Sequence, residues 1–258
     1  MRAEPLNTRA YEELSRRDLI GLFEIIDTCA ECRTEDELAA IVERLHELIL
    51  FEDASLTLVD KKALLSGKGK AFELFTTGFP DEFIDTYFEK NFALLDVPLN
   101  AYFRTGEIQV YSESIKKYND NIYNEFEIFS RDFGYYDGFV YGVGDLSGEE
   151  ETIICVNCGK IETDERSRFI IKTITSFLSE SYKRVLRHQE RQKFKLTGRE
   201  LEVLSWIKEG KTSWEISKIL KTSKRTVDFH TYNLIEKLDA ANRTNAVAIA
   251  MGHGLIKL

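Results

Sequence analysis

The sequence predicts an α+β protein in two parts: an N-terminal α/β/α sandwich around an antiparallel sheet, then a C-terminal domain of four short helices. Three observations carry this expectation. The apolar period is helical over the first fifty residues, turns strand-like in two later stretches, and returns to the helical period from Thr163 onward. A length of 258 residues fits roughly two domains of 100–200 residues each. The net charge of −9 also divides unevenly, because residues 191–258 hold 13 Lys+Arg against 7 Asp+Glu and leave −15 on the rest. A basic module on an acidic carrier suits nucleic acid even when the whole chain is acidic, since phosphate attraction acts within about a Debye length.

The elements follow in order. Leu19, Leu22, Phe23 and Ile26 recur at helical spacing, and the capping box Thr34-x-x-Glu37 opens a second helix carrying Leu38, Ile41, Val42, Leu45, Leu48 and Ile49. Ala54–Val59 and Ala71–Phe75 read as a hairpin around the turn-prone Ser66-Gly-Lys-Gly69. Gly78-Phe-Pro80 opens a helix with Phe83, Ile84, Tyr87 and Phe88, Asp96-Val-Pro98 ends a loop, and a helix is expected from about Ser114 to Phe133. Gly138–Gly144 and Glu151–Cys158 form a second antiparallel pair around Ser147-Gly148. From Thr163 to about His188 a long helix places Phe169, Ile170, Ile174, Phe177, Leu178, Tyr182, Val185 and Leu186 on one stripe that covers the sheet. Its charged end suits a linker, giving a first domain over 1–188, a linker over 189–195 and a second domain over 196–258.

Composition sets further limits. With 43 % hydrophobic and 31 % charged residues and three prolines, the chain is of the ordinary folded class. No run approaches the ~18 apolar residues of a membrane span, and the N-terminus lacks an apolar signal core, so a cytoplasmic location without membrane contact is expected. No Ser/His/Asp, Cys/His or phosphate-loop constellation points to an enzyme. The four cysteines form two C-x-x-C pairs, Cys29/Cys32 and Cys155/Cys158, with 122 residues between the pairs rather than the spacing of a zinc ribbon. Buried thiols are the plain reading, and a redox- or zinc-responsive regulator is the alternative.

The C-terminal region spells its helices explicitly. Thr197-x-x-Glu200 caps a helix with Leu201, Val203, Leu204 and Ile207, and Gly210 stands where it stops. Thr212-x-x-Glu215 caps a short helix with Ile216, Ile219 and Leu220, Lys221-Thr-Ser223 turns, and a longer helix turns Val227, His230, Leu234 and Leu238 inward. This is a helix-turn-helix, whose second helix fits the major groove. The outward side carries Arg225, Asp228, Phe229 and Tyr232, with Lys211, Lys221 and Lys224 at the rim. Asp228 could accept from a cytosine amine and Phe229 could touch a thymine methyl. His230 reads as a structural residue bonded to backbone, and Trp214 as packing.

The run from Leu196-Thr-Gly-Arg-Glu200 through Glu202-Val-Leu204, Gly210-Lys-Thr-Ser213, Glu215-Ile216, Thr226-Val227, His230, Lys237-Leu238, Arg243 and Gly254-Leu255-Ile256 resembles the LuxR-type helix-turn-helix. The resemblance implies a bacterial four-helix DNA-binding domain acting as a dimer, with double-stranded DNA, a second copy and RNA polymerase as partners. The candidate DNA contacts are Lys211, Thr212, Lys224, Arg225, Thr226, Asp228, Phe229, Tyr232 and Lys237. Glu200, Leu204 and Gly210 fall at positions that hold the fold.

The front part is similar to the autoinducer-binding domain of quorum-sensing regulators, through Gly78-Phe-Pro-Asp-Glu-Phe83, Tyr87, Asp96 nine residues on, Tyr111, and Phe133-Gly134-x-x-x-Gly138. The resemblance implies a pocket between the sheet and the helices on one side, a small-molecule signal such as an N-acyl-homoserine lactone, and no cofactor. By that similarity Asp96 takes the amide proton, Tyr87 donates to the acyl carbonyl, and Tyr111 lines the wall. Phe83 stands where the family has a tryptophan that donates to the lactone carbonyl, a bond phenylalanine cannot make. Control through protein contacts without a ligand stays open as a further alternative.

Overall fold

A computed structural model describes residues 13–62, 71–118, 125–145, 147–159 and 163–256. The chain divides into two units, Met1–Lys183 and Arg184–Leu258.

In the first unit, helix α1 (Arg16–Glu31) starts at a capping box in which Ser15 and Asp18 exchange backbone-to-side-chain hydrogen bonds of 2.8 and 3.1 Å. Helix α2 (Glu35–Leu45) starts at the expected Thr34/Glu37 box. The buried stripe of α1 is Asp18, Leu22, Ile25 and Cys29, whereas Leu19 and Phe23, expected to pack, are exposed. The reason is an ion pair: Arg166 donates to both Asp18 oxygens, at 2.6 and 3.0 Å, and to the Leu48 carbonyl at 2.9 Å. That pairing turns Asp18 inward and carries Leu19 and Phe23 out, since side chains one and five positions on point elsewhere around a helix.

Among the described residues five strands form one antiparallel sheet: β1 (Asp53–Asp60), β2 (Phe72–Thr77), β3 (Gln109–Val110), β4 (Asp137–Gly144) and β5 (Glu150–Cys158), in the order β2-β1-β5-β4-β3. Both expected hairpins are present, joined by pairing of β1 with β5 that sets Ser55 opposite Cys155. The turn at Ser66–Gly69 lies outside the described residues. Strand β3, two residues long, is too short to leave a period.

The two faces of β5 lead to different layers. Thr152, Ile154 and Val156 face helix α7 (Glu165–Lys193), where the Ser179 hydroxyl donates to Thr152 Oγ1 at 2.7 Å and Ser181 donates to the Cys29 carbonyl of α1 at 2.9 Å. Glu151, Ile153 and Cys155 face the other layer, helices α3 (Asp81–Glu89), α4 (Val97–Thr105), α5 (Tyr111–Tyr118) and α6 (Glu125–Asp132). The predicted α/β/α sandwich is therefore observed.

Three details differ from expectation. The helix read over 114–133 is two helices, α5 and α6, with 119–124 between them outside the described residues. Asp96-Val-Pro98 does more than end a loop: Asp96 caps α4, with Pro98 in its first turn, where a missing N–H costs nothing. Helix α7 continues to Lys193, so residues 189–193, read as linker, are helical, and Phe177 of its expected buried stripe is 39 % exposed.

The second unit holds α8 (Gly198–Lys208), α9 (Ser213–Ile219), α10 (Lys224–Lys237) and α11 (Arg243–Gly252). They close over Val203, Leu204, Ile207, Ile216, Val227, Leu234, Leu238, Ala246 and Ala250. Both expected capping boxes form, and the turn between α9 and α10 passes through Lys221 in the left-handed region, φ 50°. Among the described residues no helix is long and apolar enough to cross a membrane.

Asp18→Asn leaves the Arg166 guanidinium without its carboxylate in a mostly buried place. We expect a loss of about 3 kcal/mol in the stability of the first unit, measured by chemical denaturation.

Candidate functional site

The layer over the site face of the sheet is mostly aromatic. Phe83, Phe92, Tyr111, Phe126 and Tyr135 are buried together, with Phe79, Tyr87, Phe129 and Phe133 packed against them. Helix α3 supplies Phe83 and Tyr87, four residues and one turn apart, so both look toward the sheet. Phe83 is ringed by Phe79, Phe129, Phe133 and Tyr135, with centroids 5.0 to 5.3 Å away in stacked and edge-on arrangements. Such contacts favour rigid walls and offer no hydrogen-bonding atom at Phe83 itself.

The entry of the chain into α3 depends on Asp53 at the start of β1. The Tyr135 hydroxyl donates to its carboxylate, and burial raises the carboxyl above its ordinary range. A side chain at Gly78, which has φ 87°, would run into that carboxylate. Glycine is required here both for space and for conformation.

Asp96 is the polar centre. Its side chain is buried, one oxygen accepts from the Leu99 N–H at 3.0 Å, and the other accepts from the Tyr87 hydroxyl at 3.1 Å. Burial pushes its carboxyl up to about 6, although both hydrogen bonds favour the charged form. Burial likewise holds the Tyr87 and Tyr111 hydroxyls above their ordinary value, so both remain donors at neutral pH. The Asp96 charge acts on Tyr111 and on the thiol of Cys155, which burial pushes up to about 12. The structure thus brings Phe83, Tyr87, Asp96 and Tyr111 into one cluster.

Ser55, Phe92 and Tyr135 belong to this site and sequence reasoning did not single them out, and Cys155, noted in the sequence only as one of a C-x-x-C pair, lies beside Asp96. The spacing of Phe126, Phe129 and Phe133 within α6 and just beyond it was a readable signal. The approach of Tyr135 to Asp53 had none, because 82 residues separate them.

The sheet also separates the cysteine pairs. Cys29 lies in the layer of α1 and α7, while Cys155 lies on the opposite face beside Asp96. One zinc ion cannot be shared across the sheet, and among the described residues no group of three His, Cys, Asp or Glu side chains is placed to hold a metal. A thiol held protonated is also a slow nucleophile, which disfavours redox sensing at Cys155.

In the second unit the candidate nucleic-acid contacts divide in two. Lys224, Arg225, Asp228, Phe229 and Tyr232 lie exposed along α10, and Thr212 is exposed at the cap of α9. Thr226, half-buried, shares a 2.8 Å hydrogen bond with Ser223, and Lys211, also half-buried, offers its carbonyl to Arg243 at 2.7 Å. Asp228 accepts from Lys224 at 2.8 Å, and this bond, with one from Ser213, holds its carboxyl below the usual range. Lys237 is a correction: its ammonium donates to both oxygens of buried Glu200, at 2.7 and 2.9 Å, and to the Lys195 carbonyl at 2.7 Å. With three donors engaged, Lys237 holds the fold and has none left for a phosphate. Trp214, read as packing, is 59 % exposed with Lys218 above its ring, and His230, read as bonded to backbone, has a buried Nδ1 with no hydrogen-bond partner among the described residues.

Two outcomes follow. The folded-state value of Asp96 lies above its unfolded value of 3.8, so its contribution to stability is full below about pH 4 and lost as pH rises through about 6. Asp96→Asn keeps an oxygen for the cap and removes the charge. Denaturation across pH 4 to 8 should therefore show the variant gaining about 2–3 kcal/mol on the parent. Lys237→Met strands the Glu200 carboxylate and should cost the second unit about 3 kcal/mol, whereas exposed Lys224→Ala should stay within about 0.5 kcal/mol, both read from thermal unfolding.

Comparison with known proteins finds the same two domains. The family model of the autoinducer binding domain matches residues 34–181, and that of bacterial regulatory proteins of the luxR family matches residues 195–250. The HTH-type quorum sensing-dependent transcriptional regulator RpaR of Rhodopseudomonas palustris is 29 % identical over 225 residues, covering 86 % of this chain and 90 % of its own. The transcriptional activator protein VanR of Vibrio anguillarum is 28 % identical over 239 residues, covering 91 % and 97 %. The crystal structure of Escherichia coli SdiA shares the fold, with a TM-score of 0.54 at 21 % identity over 93 % of this chain and 99 % of that one. The chain belongs to the LuxR family of quorum-sensing transcriptional regulators, with an autoinducer-binding domain ahead of a LuxR-type helix-turn-helix.

Proposed function

We propose that this regulator binds an acylated amide, an N-acyl-homoserine lactone or a close relative, on the aromatic face of its sheet, and that the ligand-filled form binds a two-fold operator as a homodimer. The observation that carries the reading is the Tyr87–Asp96 pair: a hydroxyl donor and a carboxylate acceptor 3.1 Å apart within an aromatic cluster. An amide presents the matching groups, its N–H for Asp96 and its carbonyl for Tyr87. The ligand's bonds would replace the one the pair makes with itself, so neither group is left unpaired at about 1–3 kcal/mol. Tyr111 lines the same place. Phe83 supplies no donor, so the head group seated there is one that tolerates an apolar wall, which sets the preferred signal apart from a plain homoserine lactone.

The signal acts by completing the core of the sensor. A ligand bound only to the folded state at a hundredfold over Kd adds about 2.7 kcal/mol. That is enough to decide whether the sensor persists, dimerises and presents two recognition helices to one operator. Such a regulator works in the cytoplasm, needs no cofactor, and meets RNA polymerase at the promoter. The sensor domain, 1–188, is proposed to act through the helical residues 189–193 on the output domain, 196–258.

Mass spectrometry of protein purified from its native host should recover a bound acylated amide, and that compound at a hundredfold over Kd should raise the sensor's Tm by about 5–10 °C. Asp96→Asn should abolish that rise, and Phe83→Trp should shift preference toward homoserine lactones. A Tm unmoved by every acylated amide tried would favour control by protein contacts. Footprinting should protect two half-sites about one helical turn, roughly 34 Å, apart; protection of one asymmetric half-site would count against the dimer.

A further inference from the structure

The outward stripe of α10 is unusual in what it exposes. Val227, Leu234 and Leu238 are buried in the unit's core, whereas Phe229 and Tyr232 are 60 % and 61 % exposed. Three residues apart, they stand side by side on one helix face. Core packing accounts for neither ring, and the ring contact of Phe229 found among the described residues is edge-on to adjacent His230.

We propose that α10 reads its half-site chiefly through the C5-methyl groups of thymine, with Phe229 and Tyr232 as the reading side chains. The proposal rests on the placement of α10 in the major groove. Of the groups that base pairs present there, the thymine methyl is the one apolar projection, and the rest are hydrogen-bond donors and acceptors. The phenyl ring of Phe229 can satisfy none of those, so it selects for the methyl and against polar edges left unpaired; the Tyr232 ring adds a second apolar face beside it, with its one polar atom at the far edge. Two polar members of the stripe are already engaged, Asp228 with Lys224 at 2.8 Å and with Ser213, and Thr226 with Ser223 at 2.8 Å, while Arg225 stands in the first turn, at the phosphate-facing start of the helix. For Asp228 to accept from a cytosine amine, its bond to Lys224 would have to open. DNA rather than a protein partner is favoured by charge. Lys224 and Arg225 sit in the first turn of the same helix, Lys221 precedes it, and the surrounding residues 191–258 carry +6 on a chain of −9.

The test uses the full-length protein purified from its native host, with the acylated amide that mass spectrometry detects in it retained, and a pool of random duplexes. Recovered duplexes are resynthesised with deoxyuridine for thymidine at one position at a time, which removes a methyl and leaves the protein untouched. Loss of one buried methyl corresponds to about fourfold in affinity, at ~0.8 kcal/mol per carbon. We expect a loss of that size at one or two positions per half-site, and we expect Phe229→Ala and Tyr232→Ala each to erase it at its own position with unchanged thermal unfolding. Uracil tolerated throughout the half-sites would overturn the proposal, as would alanine variants that still distinguish thymine from uracil. Variants that bind every duplex like the parent but lose reporter response would assign the rings to a protein partner instead. Failure to select any duplex would be a different result, overturning DNA binding by this helix.

Discussion

The constraint on which the sensor unit depends is that β5 is buried on both faces. It lies between β1 and β4, so its backbone is saturated by two antiparallel neighbours and its side chains must satisfy two unlike layers. On one face Thr152, Ile154 and Val156 meet α7, and on the other Ile153 and Cys155 underlie the aromatic site. A one-residue slip would exchange the two sets and bury Glu151 against α7. Glu151 is tolerated where it is because Tyr102 donates to it and Lys61 pairs with it at 2.7 Å. The same alternation keeps Cys29 and Cys155 on opposite sides.

Asp96 shows how structural and functional demands meet in one side chain. As the cap of α4 it satisfies a helix N–H, and as the partner of Tyr87 it holds a buried charge inside aromatic walls. A carboxylate used only as a cap would be better placed at the surface, where it keeps its ordinary pKa. Its burial costs stability near neutral pH, a cost that the proposed N–H donor of a bound signal would offset. The aromatic enclosure makes the same trade: rigid rings preserve the shape of the site, and Phe83 removes one polar anchor from it.

The helix-turn-helix unit separates its charges by role. Glu200 and Lys237 join α8 to the end of α10, together with the Lys195 carbonyl, and so fix the angle of the recognition helix from behind. Lys224 and Arg225 remain exposed at its start, Lys224 paired with Asp228 across one turn. Residue type alone does not distinguish these lysines. Their surroundings do, because a cation facing a nearly inaccessible carboxylate cannot leave it without stranding that charge.

What the sequence alone determined is local. The Thr34, Thr197 and Thr212 capping boxes, the change from helical to strand period, and the basic character of the last quarter rest on neighbours three or four residues apart, and all were legible. The residues of the ligand cluster could be proposed from motif order. Their arrangement could not: the bond from Tyr87 to Asp96, the approach of Tyr135 to Asp53 and the nearness of Cys155 all require helices folded back on a sheet. Only the tertiary structure decided which face of α1 is buried, through a pair 148 residues apart in sequence, and that Lys237 serves the fold, through a partner 37 residues away. Apolar spacing marks possible faces of a helix, but the choice among them belongs to whatever packs against it, and that contact is made by distant chain.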